Sequence, residues 1–184
     1  MVEQVALLIA LVVLYRLLGK VRFSLASRIG IALLICVHSI GTHYTYSLTP
    51  YDAMFGEYFG FSLNESMGWE RNHYDRFVHF LYGVTLAIPI KEVFEQMVGL
   101  SAKASAHLSF HIILSTSVIY EFMEWAVAAV FAGEVGMEYL GTQGDIWDAH
   151  ADMVLAGIGA LFTFAVIAVY RALFARFAPF VPYR

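Results

Sequence analysis

Three short blocks of the sequence concentrate side chains that bind cations or move protons. They are His73-Tyr74-Asp75-Arg76-Phe77-Val78-His79, Tyr120-Glu121-Phe122-Met123-Glu124, and the stretch from Gln143 to Asp152. On a helix, residues three or four apart are neighbours on one face. Asp75 and His79 therefore stack one turn apart, Glu121 and Glu124 adjoin, and Asp145, Asp148 and Asp152 form one stripe. Carboxylates gathered in a low-dielectric setting cannot all ionise unaided, and a bound cation or shared protons relieve the repulsion. Hard cations such as magnesium and calcium take oxygen ligands, whereas zinc, manganese and iron suit a mixed carboxylate and imidazole set. One or two divalent ions held by residues on facing helices would follow a known helix-bundle pattern. The expected metal ligands are Asp75, His79, Glu121, Glu124, Asp148 and Asp152. His43, at the end of an earlier apolar stretch, is placed to join them. Asp145 is the spare carboxylate, expected as a general base.

The same residues admit structural readings. Asp75 beside Arg76 suits an ion pair or a first-turn acid favoured by the helix dipole. Asp145 and Asp148 suit helix N-caps. Glu121 and Glu124 resist such explanations, because no lysine or arginine lies within 106–132 to neutralise them. His107 and His111 are four apart, but they belong to the far end of that stretch and read as interfacial or capping residues. His38 reads as a buried hydrogen-bonding residue, and His150 as interfacial.

The elements that must carry these side chains are apolar enough to cross a bilayer. The chain has 184 residues, 60% of them hydrophobic and 14% charged, with a mean hydropathy of +0.68. Soluble domains are about 45–50% apolar and about 25% charged. A net charge of −4 argues against a nucleic-acid partner, which would call for a basic stripe. The lone Cys36 excludes a disulfide framework or thiolate metal site. A bilayer core of about 30 Å needs roughly 20 apolar residues in a helix. Five spans are expected, at about 5–18, 29–46, 76–98, 106–132 and 149–174. The fold class is thus all-α, a polytopic membrane helix bundle forming a single transmembrane domain over 1–184. The first span lacks a positive leading segment and a cleavage signal, so it reads as an uncleaved helix. Pro89 is a candidate kink.

The connections alternate in charge. Lys20, Arg22 and Arg28 lie between the first two spans, Lys91 and Lys103 beside the third turn, and Arg171, Arg176 and Arg184 after the last span. The loops 47–75 and 133–148 are mainly acidic. Basic loops face the cytoplasm, which predicts an outer N-terminus, a cytoplasmic C-terminus and an extracytoplasmic cluster. The outer loop 47–75 is dense in aromatics, from Tyr51 to Tyr74. It reads as an interfacial or re-entrant segment over the bundle, or as a lid over a lipid-facing pocket.

The three blocks, with Gly141-Thr142-Gln143-Gly144-Asp145, resemble the YjdF-like family of small bacterial inner-membrane proteins over nearly the whole chain. More loosely, Asp75-Arg76-Phe77-Val78-His79-Phe80, Glu121, and Asp148 followed by Gly157 and Gly159 resemble the VanZ-like membrane proteins. Asp152 departs from that looser pattern, which carries an amide there, and makes this site more acidic. The resemblance implies a bacterial inner-membrane location, the fold and the position of the site, but no reaction. The residues themselves point to a metal-dependent hydrolase or transferase acting on a lipid or lipid-linked envelope substrate. The alternatives are a cation- or proton-coupled transporter, and a non-catalytic membrane protein with a structural ion. Membrane lipid is the expected partner.

Overall fold

The computed structural model describes residues 3–130 and 142–174, with side chains from residue 7 onward. The described residues form helices joined by turns, with no strand among them. Helix α1 spans Glu3–Leu18, α2 Leu25–His43, α3 Tyr51–Phe59 and α4 Leu63–Met67. Helix α5 spans Tyr74–Val93 and runs on into a π-helical turn, Phe94–Val98; α6 spans Ala102–Val130 and α7 Asp148–Phe174. Among the described residues four helices are long and apolar enough to cross a membrane: α2, α5 with its π-turn, α6 and α7. The expected first span is a shorter apolar helix of 16 residues.

The boundaries have local causes. Helix α2 starts four residues before the expected Ile29, because Ser24 caps it by accepting from the Ser27 backbone N–H at 3.2 Å. It stops at His43 rather than Tyr46, because Thr45 and Tyr46 adopt positive φ of 53° and 54° and reverse the chain. The Tyr46 ring then folds onto Gly41, where a Cβ would stand 2.7 Å from it. Its hydroxyl hydrogen-bonds His38 Nδ1. Helix α5 continues through the buried Pro89 and ends at Gly99, whose φ of 75° suits glycine. The outer loop contains α3 and α4, neither with a buried residue.

Helix α5 is the centre of the bundle, packed against α2, α6 and, most extensively, α7. Its seam with α7 uses small residues, as membrane helices do when backbones must approach closely. A Cβ on Gly83 would lie 2.0 Å from the Ala156 carbonyl oxygen, and one on Gly159 would lie 2.1 Å from that of Phe80. Ala87, Ile113, Ala156 and Ala160 are fully buried where α5, α6 and α7 meet. Two side chains reach across to carbonyls: Ser109 Oγ donates to Ala87 O at 2.8 Å, and Thr163 Oγ1 to Val84 O at 2.9 Å. Helix α1, by contrast, packs lightly on α2 and keeps most of its apolar surface exposed.

Candidate functional site

Rows of residues spaced by four run along all three packed helices. On α5 the row is Asp75, His79, Gly83 and Ala87; on α7 it is Asp148, Asp152, Ala156 and Ala160. On α6 the buried residues are Ser105, Ser109, Ile113, Ser117, Glu121 and Glu124. Rows at this spacing form the ridges by which helices interlock. In each row the small or apolar members close the bundle, and the acidic members continue the same face at one end. The packing that joins the helices thus gathers their carboxylates.

The gathered side chains are buried: Asp152 is 2% exposed, Asp148 3%, His79 7%, Glu121 8% and Glu124 9%. His79 Nε2 stands 3.3 Å from Glu121 Oε1 and 3.7 Å from Asp75 Oδ1. Ser117 Oγ lies 3.5 Å from Nδ1, so the ring turns Nε2 toward the carboxylates. One ligand atom each from Asp75, His79 and Asp152 come within 4.8 Å of one another. Donors on opposite sides of a divalent cation lie about 4.2–5.2 Å apart, so this group has the size of a cation site. Asp152 Oδ1 is buried with no hydrogen-bond partner among the described residues, so it has a lone pair to offer a cation, a proton or a water.

Two arginines close the mouth. Arg71 Nη2 lies 2.7 Å from Asp148 Oδ1 and its Nη1 3.5 Å from Asp145 Oδ2. Arg76 Nη2 contacts the same two carboxylates, at 2.5 Å from Asp145 and 3.2 Å from Asp148. The structural alternative of an ion pair between Asp75 and Arg76 gives way to this bridge to the start of α7. The Trp147 backbone N–H donates to Asp145 at 2.9 Å. That bond first, then Arg76, holds the Asp145 carboxyl below the usual carboxylate range. Asp145 is consequently an anchor for two guanidinium groups and ill-suited to the general-base role expected of it. Asp148, expected as a ligand, is likewise engaged by both arginines.

The remaining expectations divide. His43 is exposed and stacks edge-on against Tyr44, because α2 ends there and the chain turns away, so it does not join the buried group. His38, expected as a buried hydrogen-bonding residue, is half-buried, bonds the Tyr46 hydroxyl and also lines the same cleft as Asp75 and His79. His107, His111 and His150 are exposed. Arg71 escaped sequence reasoning; its signal was a basic residue five positions before Arg76 within an otherwise acidic loop. It is fixed by donating to Thr142 O at 3.0 Å, while Gln143 exchanges two hydrogen bonds with the Asn72 backbone.

The cluster holds six carboxylates (Asp75, Glu121, Glu124, Asp145, Asp148, Asp152) against two guanidinium groups among the described residues. Fully ionised, it carries four negative charges in excess. A buried surplus of that size calls for cations or protons, and two divalent ions would balance it.

A family profile described as "Predicted membrane protein (DUF2238)" matches residues 1–173. The chain is 36% identical over 143 residues to the protein named "Inner membrane protein YjdF" of Escherichia coli (strain K12). That alignment covers 75% of this chain and 64% of the relative, so the chain spans less than two thirds of the relative's length. No solved structure matches it significantly.

Proposed function

The chain belongs to the DUF2238 family of predicted membrane proteins, and from that starting point we propose that it is a metal-dependent hydrolase or transferase acting on a lipid or lipid-linked envelope substrate. The observation that carries this reading is the convergence of Asp75, His79 and Asp152 within 4.8 Å, with Asp152 Oδ1 otherwise unpartnered. In this reading these three hold a divalent cation of the zinc, manganese or iron class. Glu121 and Glu124 stand ready for a second ion. The cation supplies Lewis acidity toward a scissile phosphoester, ester or amide. When no second ion is held, Glu121, 3.3 Å from His79 Nε2 and without an arginine contact among the described residues, takes the place of Asp145 as the proton acceptor. Arg71 and Arg76 hold the start of α7 so that Asp152 reaches the group.

The bundle's membrane character makes lipid the accessible substrate class. The inner-membrane name of the relative, together with the distribution of basic loops, supports a bacterial inner membrane with the cluster on the extracytoplasmic side. Elemental analysis of the purified protein, with His79→Ala and Asp152→Asn beside it, is the test. The expected result is at least one divalent ion per chain in the wild type and a large loss in both variants. A metal-free wild type whose melting is indifferent to chelator would sink the proposal. Cation-dependent flux in liposomes, lost in the same variants, would move the reading to an ion-coupled carrier.

A further inference from the structure

We infer that the chain seats the single long tail of a polyprenyl-type phosphate lipid in a cleft leading away from the acidic cluster. The headgroup assignment rests on the metal reading above; the tail assignment rests on the cleft alone.

A cleft of about 550 Å³ lies between α1 and α2 on one side and α5 and α6 on the other. Its walls are almost wholly apolar, with Leu34 of α2 facing in from one side and Leu86 of α5 from the other. Polar groups gather at one end, where His38, Asp75 and His79 line it; Leu17, Phe23 and Val93 line the opposite end. Asp152, the third member of the cation-sized group, is not among the lining residues, so it backs the group while Asp75 and His79 face the cleft. Asp75 and His79 would hold a cation at the polar end of the cleft, and such a cation would attract an anionic oxygen ligand such as phosphate.

The length of the cleft selects the tail. Along α5 it runs from Asp75 to Val93, about 27 Å at 1.5 Å per residue. A bilayer core is about 30 Å thick, so one leaflet accounts for about 15 Å. An ordinary acyl chain anchored by its headgroup at the cluster would end near the midplane and leave the distal half unfilled. That half would then fall to a second lipid from the other leaflet, with no headgroup held at the cluster. A polyprenyl chain long enough to cross the midplane fills it. Spread over that length, the volume leaves a slender path of about 20 Å² for the centre line of a chain, the form of a groove for one extended tail. The light packing of α1 on α2 leaves one wall able to admit a tail from the bilayer.

The test is competition for the purified protein in nanodiscs among a long polyprenyl phosphate, geranyl phosphate, phosphatidic acid and inorganic phosphate, read by native mass spectrometry. Leu86→Trp and Leu34→Trp plug the cleft from opposite walls, so one poorly folded variant does not end the experiment. Metal content is measured in parallel. The expected result is retention of the long polyprenyl phosphate at least about tenfold over the other three, a difference of about 1.4 kcal/mol. Both plugged variants should lose that preference and keep the wild-type metal content. Equal retention of geranyl phosphate or phosphatidic acid would overturn the long single tail, and equal retention of inorganic phosphate would reduce the ligand to a free anion. A preference that survives both plugs would place the lipid elsewhere on the bundle. Tail-selective retention by a metal-free protein would leave the cleft assignment standing and remove the metal reading instead.

Discussion

The two ends of α5 both carry carboxylates, and they use them in opposite ways. At the C-terminal end, Glu92 accepts from the Ser24 backbone N–H at 3.2 Å and from Ser27 Oγ at 2.8 Å. It thereby places a negative charge at the N-terminus of α2, where the helix dipole favours it. Gln96 beside it exchanges two hydrogen bonds with the backbone of Arg22. At the N-terminal end, Gln143 makes the same two-way clasp with the backbone of Asn72, yet the nearby carboxylates outnumber their cations. One end is a closed structural joint. The other has a joint of the same kind on its rim and an unsatisfied acidic interior behind it. Charge surplus, more than the presence of acidic residues, separates a site from a cap.

The strongest way to break this contrast is to attack what the ends share. Gly83→Val places a Cβ 2.0 Å from the Ala156 carbonyl oxygen, and overpacking of this kind costs about 1–3 kcal/mol or more. Both ends should fail together, seen as loss of monodisperse protein on size exclusion. Survival of a folded, metal-loaded variant would show that the seam does not set the cluster. A smaller change should separate the ends. Glu92→Ala removes hydrogen bonds to a charged acceptor, worth about 1.5–3 kcal/mol, and should lower the melting temperature without altering metal content. Asp152→Asn should do the reverse: in chelator its melting temperature should equal or exceed that of the wild type, since the substitution relieves buried charge. A marked loss of stability in chelator would make Asp152 a structural residue like Glu92.

The smallest effect concerns the rim. The Trp147 N–H and Arg76 hold Asp145 below the usual carboxylate range, so its contribution to stability is complete above about pH 4. It declines as the pH falls further, through the folded-state value. Melting curves of Asp145→Asn should therefore differ slightly from wild type at neutral pH and converge with it in acid. A difference that grows on acidification would refute the anchoring role.

Much of this arrangement was legible in the sequence, for physical reasons. Apolar runs long enough for a bilayer located the four long helices, and the spacing of four between Asp75 and His79, or Asp148 and Asp152, placed each pair on one face. The membership of the cluster on α5, α6 and α7 followed from those spacings. What spacing could not supply was the partner across a turn. Asp145 and Asp148 lie about 70 positions from Arg71 and Arg76, and nothing local indicates that those arginines bridge to α7 and leave Asp75 alone. His43 was misplaced for a related reason. An apolar run reads on to Tyr46, whereas the backbone reverses at Thr45 and Tyr46 and brings His38, one turn earlier, to the cleft.

The rows of four on α5, α6 and α7 make the chemistry a matter of phase. Each residue of a helix advances about 100° around the axis and 1.5 Å along it. A single residue inserted between His79 and Phe80 would turn Asp75 and His79 about 100° away from Asp152 while leaving the seam below in place. Four inserted residues would restore the facing direction but raise both groups about 6 Å. Changes in loops and lipid-facing positions leave that phase untouched, whereas the number of residues between the glycine seam and the acids acts as a fixed length.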